Sequence, residues 1–463
     1  MRKILILLLL VPLLLHAQKN EFEKYMLGEY QDGYGFNGSV LVAKHGSIIY
    51  QKAFGYKDPN WQNFLDKNSV FELASLSKQF TAMAILQLEE AGKIHLKDTL
   101  RKFFPELPYH DITIYQLLTH SSGLPAYEDE MEPKWDHHKI AFNKDLIAFL
   151  AAEKPATHFK PGQRFEYSNT GYAVLASVIE KISGQTYSQY LDQHIFKPLG
   201  MHSSRVYNTR RSLKDTVEDY AYGFQYDKAA NKFVMADSVK ANDYVYYLDG
   251  IVGDGTVNSN TGDLFKWEQA LLNNRLLKKI DQQAMLSPHM LMDTASKSYY
   301  GYGVMIGRDD VLGDVISHTG GWPGYATYLS YYKDEDLAVI VLSNNEFNAG
   351  GVGRALAFIA AGKPVIPSYQ HKPAAVDIKT LSRFVGKYAT PRIIEIVMRD
   401  GKLYRHLPGA PDTSDVELLA ESTNKIYYND RFDRQIELET SADGSVLKCW
   451  VVVCGVRTEI KKL

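Results

Sequence analysis

Residues 71–91 read FELASLSKQFTAMAILQLEEA, and their pattern decides the fold. Leu76, Phe80, Met83, Ala84, Leu88 and Ala91 recur at helical intervals, which predicts an amphipathic helix with one stripe facing a core. Gly92 closes it at the position where left-handed backbone carries no Cβ penalty. The first turn holds Ser75 and Lys78. Residues three apart share a helix face, with Cβ atoms about 5–6 Å apart, so Lys78 can reach the Ser75 hydroxyl. A serine hydroxyl is a poor nucleophile until a base takes its proton. A buried lysine can be that base or can lower the pKa of another group. The helix N-terminus favours the oxyanion formed on acyl transfer. Taken alone, the Ser-x-x-Lys pattern also fits a serine that caps a helix beside a solvated lysine.

Outward from this helix, residues 38–55 alternate around His45-Gly46 and predict a β-hairpin. Helical patterns follow at 144–152, 171–183, 187–194 and 263–277. Strand patterns return at 300–307, 325–332 and 337–343, and a last helix spans roughly 350–361. Strands from both ends of such a segment usually join one sheet. The expectation is an α/β (α+β) domain over 18–362 with a large helical insertion after the first helix. Pro364, Pro367 and Pro373 mark a linker over 363–375. Beyond it, Asp400-Gly401, Asn429-Asp430 and Asp443-Gly444 separate strand-like runs. They predict a small antiparallel β domain over 376–463, a barrel or a sandwich, with both central residues of the Asp-Gly turns at positive φ.

Residues 1–17 combine Arg2 and Lys3 with the apolar run Ile4–Leu15 and end on Ala17. This is the pattern of a secretory signal peptide, too short to span a bilayer comfortably. The expected mature chain begins at Gln18, is exported to a periplasm or secreted, and does not span a membrane. With 463 residues it is long enough for two domains. Its net charge of −2 argues against a general nucleic-acid binder, which carries a basic face. Cys449 and Cys454 are the two cysteines. In KCWVVVCG, taken as one strand, they point to opposite faces beyond disulfide reach, so two buried thiols are expected.

Two further clusters carry chemistry. Tyr167-Ser168-Asn169 precedes a helical run. A tyrosine near a lysine can shuttle a proton, and Asn169 offers a donor and an acceptor for a substrate amide. The same residues also suit a helix cap with a packed tyrosine. His318-Thr319-Gly320-Gly321 lies at a strand edge, where glycines admit close approach to main-chain N–H groups. Other patterns are weaker. Gly33-x-Gly35-x-x-Gly38 precedes a strand instead of following one, which disfavours a dinucleotide site. Asp136-His137-His138 reads as solvated residues, and His120 as a structural hydrogen-bonding residue. Trp322 suits a cleft wall or the core. There is no G-x-S-x-G, H-E-x-x-H or P-loop, so no metal and no cofactor is assigned.

Ser-x-x-Lys, Tyr-x-Asn and His-Thr-Gly in this order resemble the penicillin-recognising serine hydrolases, the branch containing class C β-lactamases, D-alanyl-D-alanine carboxypeptidases, D-aminopeptidases and related esterases. LLTHSSGLP at 117–125 and SHTGGWPG at 317–324 belong to the same resemblance, which covers most of the mature chain. RFVGKY at 383–388 is similar to lipocalin-like β domains appended to some members. The resemblance implies an antiparallel sheet flanked by helices and a site with assigned roles. Ser75 would be the acylated nucleophile, with Lys78 and Tyr167 sharing general-base and general-acid duty. Asn169 would hold the acyl side chain's amide. His318, Thr319 and Gly320 would line the opposite wall, and the N–H groups of Ser75 and Gly321 would hold the oxyanion. His318 stands where β-lactamases and carboxypeptidases usually carry a lysine for the substrate carboxylate. Histidine, with an ordinary pKa of about 6.5, is mostly neutral at pH 7. The expected substrate is therefore a small molecule or peptide cleaved in a D-aminopeptidase-like or esterase-like reaction. The alternatives are a β-lactamase or carboxypeptidase, and a penicillin-binding sensor that acylates without turnover.

Overall fold

The computed structural model describes residues 18–31, 35–206, 217–390 and 393–463. The expected signal peptide over 1–17 lies outside them. Residues 37–353 form one compact unit, and the segment ending at Phe36 joins Arg354–Leu463 in another.

In the first unit, among the described residues, an eight-stranded antiparallel sheet runs in the order Ser47–Phe54, Gly38–Lys44, Leu337–Ser343, Tyr325–Tyr332, Gly313–Trp322, Met305–Asp309, Ser298–Tyr300 and Met290–Asp293. The first hairpin therefore pairs with a strand from the far end of the unit, with Val40 opposite Val341 and Val42 opposite Val339. Leu337–Ser343 is buried at every position, which explains its unbroken apolar run LAVIVL: a central strand covered on both faces has no polar side. The helical insertion lies between the two sets of strands, with helices at Asn143–Glu153 and Asn169–Ser183.

The helix Lys78–Glu90 departs from expectation. It is enclosed, with every residue from Lys78 to Leu86 buried, and is not amphipathic. Two of its buried polar side chains find partners inside the fold. Trp267 Nε1 donates to Gln79 Oε1 at 3.0 Å, and Thr81 Oγ1 donates to the Gly253 carbonyl at 2.5 Å. Buried polar groups with partners lose the cost that would otherwise keep them at the surface. Ala74–Ser77 forms a separate 3₁₀ turn before this helix. Gly92, at φ +69°, ends it as expected. The strand expected over 300–307 is two strands, because Gly301 N–H bonds back to the Val304 carbonyl and Gly303 takes a positive φ.

In the second unit, among the described residues, eight antiparallel strands from Gly386–Ala389 to Val456–Lys462 each pair with their sequence neighbours. Tyr388 opposite Lys462 closes the barrel. Closure removes the exposed sheet edges. Asp400-Gly401 has both residues at positive φ, but at Asp443-Gly444 only the glycine does. Both cysteines are buried and neither is in a disulfide. Cys454 does not continue the strand of Cys449, however. With φ values of +47° and +77°, Cys454-Gly455 is itself the turn between the last two strands.

Candidate active site

The turn that carries Ser75 is held from two sides. On one, Leu73 N–H bonds to the Val257 carbonyl and Val257 N–H to Ser77 Oγ, at 2.8 and 2.9 Å. On the other, Thr327 Oγ1 donates to the Leu73 carbonyl at 2.8 Å. Gly320 sits in the same crowded place. A Cβ there would lie 2.2 Å from the Leu73 carbonyl oxygen, 2.2 Å from Thr327 Oγ1 and 3.2 Å from Ser75 N. Only a residue without a side chain lets the strand Gly313–Trp322 run beneath the Ser75 turn. Ala74 adopts φ +49°, a left-handed conformation that costs a non-glycine residue energy and persists where surrounding contacts fix it.

Lys78 is fully buried. Its Nζ lies 3.0 Å from Ser75 Oγ, 2.8 Å from Asn169 Oδ1 and 2.8 Å from the Asp254 carbonyl. Asn169 opens the helix Asn169–Ser183, and Ser168 caps it by accepting from Gly171 N–H at 3.2 Å. Because Ser168 takes the cap, the Asn169 side chain is left to bridge Lys78 and Glu128, donating from Nδ2 to Glu128 Oε1 at 2.5 Å. The Tyr167 ring lies beneath the Lys78 ammonium group, which is 4.8 Å from the ring centroid. It packs on His120 at 4.2 Å between centroids.

On the opposite wall, His318 is fully buried. Its Nδ1 lies 2.6 Å from the Thr319 carbonyl, and its Nε2 lies 3.0 Å from the Tyr300 hydroxyl. A carbonyl can only accept, so Nδ1 carries the proton and Nε2 accepts from Tyr300. Burial first, and then the Lys78 charge, pushes His318 down to about 3. Burial also raises Tyr300, which keeps its proton. Thr319 and Gly321 are exposed and Gly320 is buried along the same strand. Ser75, Asn169 and Gly321 line one cavity, walled by Trp322. All three motifs thus meet at one place.

Several residues of this site carry no motif in the sequence. Asp254 is buried and accepts from the Tyr127 hydroxyl at 3.0 Å, and burial raises its carboxyl. The signal for its position is Gly253, at φ +109°, where a Cβ would lie 2.5 Å from the Tyr172 carbonyl. That close approach brings the Asp254 backbone to Lys78. Glu128 is pushed up to about 7 by burial and by Asp254. His120 accepts from Ser168 N–H at 3.0 Å, the structural role expected of it. His137 bonds to Asp243 and stacks on Tyr247.

The chain matches the family model described as Beta-lactamase over residues 26–362. It is 39% identical to penicillin-binding protein 4* of Bacillus subtilis over 382 residues, covering 81% of this chain and 84% of that protein. The crystal structure of a penicillin-binding protein from Bacillus halodurans superposes with a TM-score of 0.62 at 28% identity, covering 74% of this chain and 98% of that one. An octameric penicillin-binding protein homologue from Pyrococcus abyssi has the same fold over 96% of this chain and 99% of its own, with a TM-score of 0.66 at 24% identity. With Ser75 and Asn169 on one cavity, both bonded to Lys78 Nζ, and the Tyr167 ring against that amine, this chain belongs to the Beta-lactamase family and is a serine hydrolase.

Proposed function

We propose that the protein is an exported hydrolase that acts through an acyl-enzyme on Ser75, cleaving a peptide, amide or ester in a D-aminopeptidase-like or esterase-like reaction. The observation that carries the mechanism is the set of three oxygens around Lys78 Nζ. Lys78 Nζ donates to all three in the structure; once the ammonium group has given up one proton, two N–H donors and one lone pair are left. Asn169 Oδ1 and the Asp254 carbonyl only accept, so Ser75 is the one partner of the three that can donate to that lone pair. As Ser75 Oγ attacks the carbonyl carbon, its proton passes to Lys78 or Tyr167, and the oxyanion forms against the N–H groups of Ser75 and Gly321. The same proton leaves with the amine or alcohol. Water then attacks the acyl-enzyme, returning the proton to Ser75 and releasing the acid.

The substrate class follows from charge. His318 is neutral, with both ring nitrogens engaged, so it provides no cation for a substrate carboxylate. Glu72, Asp249 and Asp254 line the cavity as well. Such a cleft disfavours a terminal carboxylate, which penicillins and D-alanyl-D-alanine both carry. Export rests on the N-terminal sequence.

The second reading, a penicillin-reactive enzyme or sensor, is favoured by the name of the 39% identical relative. Steady-state turnover of amino-acid amides and esters against a chromogenic cephalosporin, with Ser75→Ala as control, separates the two. The expected result is Ser75-dependent hydrolysis of the amides or esters, with the cephalosporin much slower. Faster cephalosporin hydrolysis would overturn this substrate class. A covalent adduct without turnover of any substrate would establish the sensor.

A further inference from the structure

Besides Ser75, Lys78 Nζ reaches Asn169 Oδ1 and the Asp254 carbonyl. Two consecutive residues hold those two partners. Tyr127 and Glu128 open the short helix Tyr127–Met131. Glu128 Oε1 accepts from Asn169 Nδ2 at 2.5 Å. The Tyr127 hydroxyl donates to Asp254 Oδ2 at 3.0 Å, and burial raises that phenol, which keeps its proton. The backbone ties the helix to the same place. Tyr127 N–H donates to Thr170 Oγ1 at 2.9 Å, next in sequence to Asn169, and Thr170 Oγ1 donates to the Pro125 carbonyl at 2.5 Å. Tyr127, Thr170 and Asp254 are buried, and hydrogen bonds made away from water are electrostatically stronger than in water.

The orientation of the Asn169 amide decides what Lys78 can do. An amide oxygen accepts and an amide nitrogen donates. With Nδ2 committed to Glu128, Oδ1 faces Lys78 and takes one of its N–H groups, while the Asp254 carbonyl takes another. Once the ammonium group has given up a proton, the lone pair is left for Ser75. Turned end for end, the amide would present Nδ2 to Lys78. That N–H would donate into the lone pair and occupy the base. We propose that Glu128 and Tyr127 are positioning residues for Lys78: Glu128 sets the Asn169 amide, Tyr127 sets the Asp254 segment, and together they aim the Lys78 lone pair at Ser75. Neither residue touches the reacting atoms. A third group that orients a base beside a nucleophile is a recurring arrangement, and here an amide stands between the carboxylate and the base. The inference rests on Ser75 being the acylated residue.

The experiment measures how fast an uncharged alkyl fluorophosphonate labels Ser75, read by intact mass. The reagent carries no amine and no carboxylate, so its rate reports activation of the nucleophile and not recognition of a substrate. Glu128→Leu removes the acceptor, and labelling should slow about ten- to a hundredfold. Glu128→Gln keeps an oxygen that accepts from Asn169 Nδ2, and its rate should stay within about threefold of native. In an Asn169→Ala background, adding Glu128→Leu should change the rate by less than about twofold, because Glu128 acts through Asn169. Tyr127→Phe keeps the ring, tests the other arm independently of how Glu128→Leu folds, and should slow labelling about tenfold. A native rate in Glu128→Leu or in Tyr127→Phe would overturn the proposal. So would a Glu128→Leu loss that is the same with and without Asn169, or Glu128→Gln as slow as Glu128→Leu. No labelling of the native chain at Ser75 would overturn the acyl-enzyme reading, and this proposal with it.

Discussion

Lys78 Nζ lies 3.0 Å from Ser75 Oγ inside a fully buried environment, and this contact organises the rest of the site. Lys78→Met keeps the length and removes the amine. It leaves Asn169 Oδ1 and the Asp254 carbonyl without their donor, at a cost of about 1–3 kcal/mol for each stranded group. Loss of proton transfer lowers acylation by about 10²–10⁴. Stopped-flow acylation and urea unfolding measure the two effects. Acylation within threefold of native would remove Lys78 from the chemistry.

Gly320→Ala tests whether the strand must run beneath the Ser75 turn. The added methyl meets two oxygens at 2.2 Å, so either the turn or the strand moves. The expected loss is about 1–3 kcal/mol of stability, with kcat/KM reduced about a hundredfold as the nucleophile shifts. Gly321→Ala has no atom within 4 Å of its new methyl, and its unfolding midpoint should match the native one.

The three motifs were legible because each needs particular residue types close together in sequence. Ser75 and Lys78 stand three residues apart across the start of one helix, Asn169 begins another, and Gly320 needs its missing side chain. Glu128, Asp254 and Tyr300 were not legible. Their roles depend on which distant segments the fold brings together, and a single acid in YEDEM or VGDGT carries no local pattern. The enclosed helix was misread for a related reason: Gln79 and Thr81 look like a solvent face until Trp267 and Gly253 supply their partners. Cys454 was misread because the glycine after it, which permits the turn, was taken as the end of a strand.

His318 is neutral in the fold, pushed down to about 3, while in the unfolded chain it titrates near its ordinary value of about 6.5. Stability from this group is present above that ordinary value and is lost as pH falls from about 6.5 toward 3. Buried His120 is shifted in the same direction and adds to the loss. Imidazole NMR shifts should report the His318 ring as neutral from pH 8 to 5. A titration of His318 within that range would contradict the hydrogen-bond assignment.

In the second unit, Glu29 is fully buried and its carboxyl is pushed up to about 8, by burial first and by Asp433 next. The sign is opposite to that of His318. The contribution is intact below the ordinary carboxylate range and is lost as pH rises from there through about 8. Glu29→Gln cannot ionise, so its stability relative to native should increase between pH 5 and 8. A stability difference that stays flat with pH, read from urea midpoints, would show that Glu29 does not titrate in this range.

The central claim is that Ser75 becomes acylated. Intact mass after exposure to a fluorophosphonate and, separately, to a penicillin tests it most directly, with Ser75→Ala as control and peptide mapping of any adduct. The account predicts one fluorophosphonate adduct per chain, mapped to Ser75 and missing from the variant, with penicillin labelling weak or absent. No adduct at Ser75 from either reagent would contradict it.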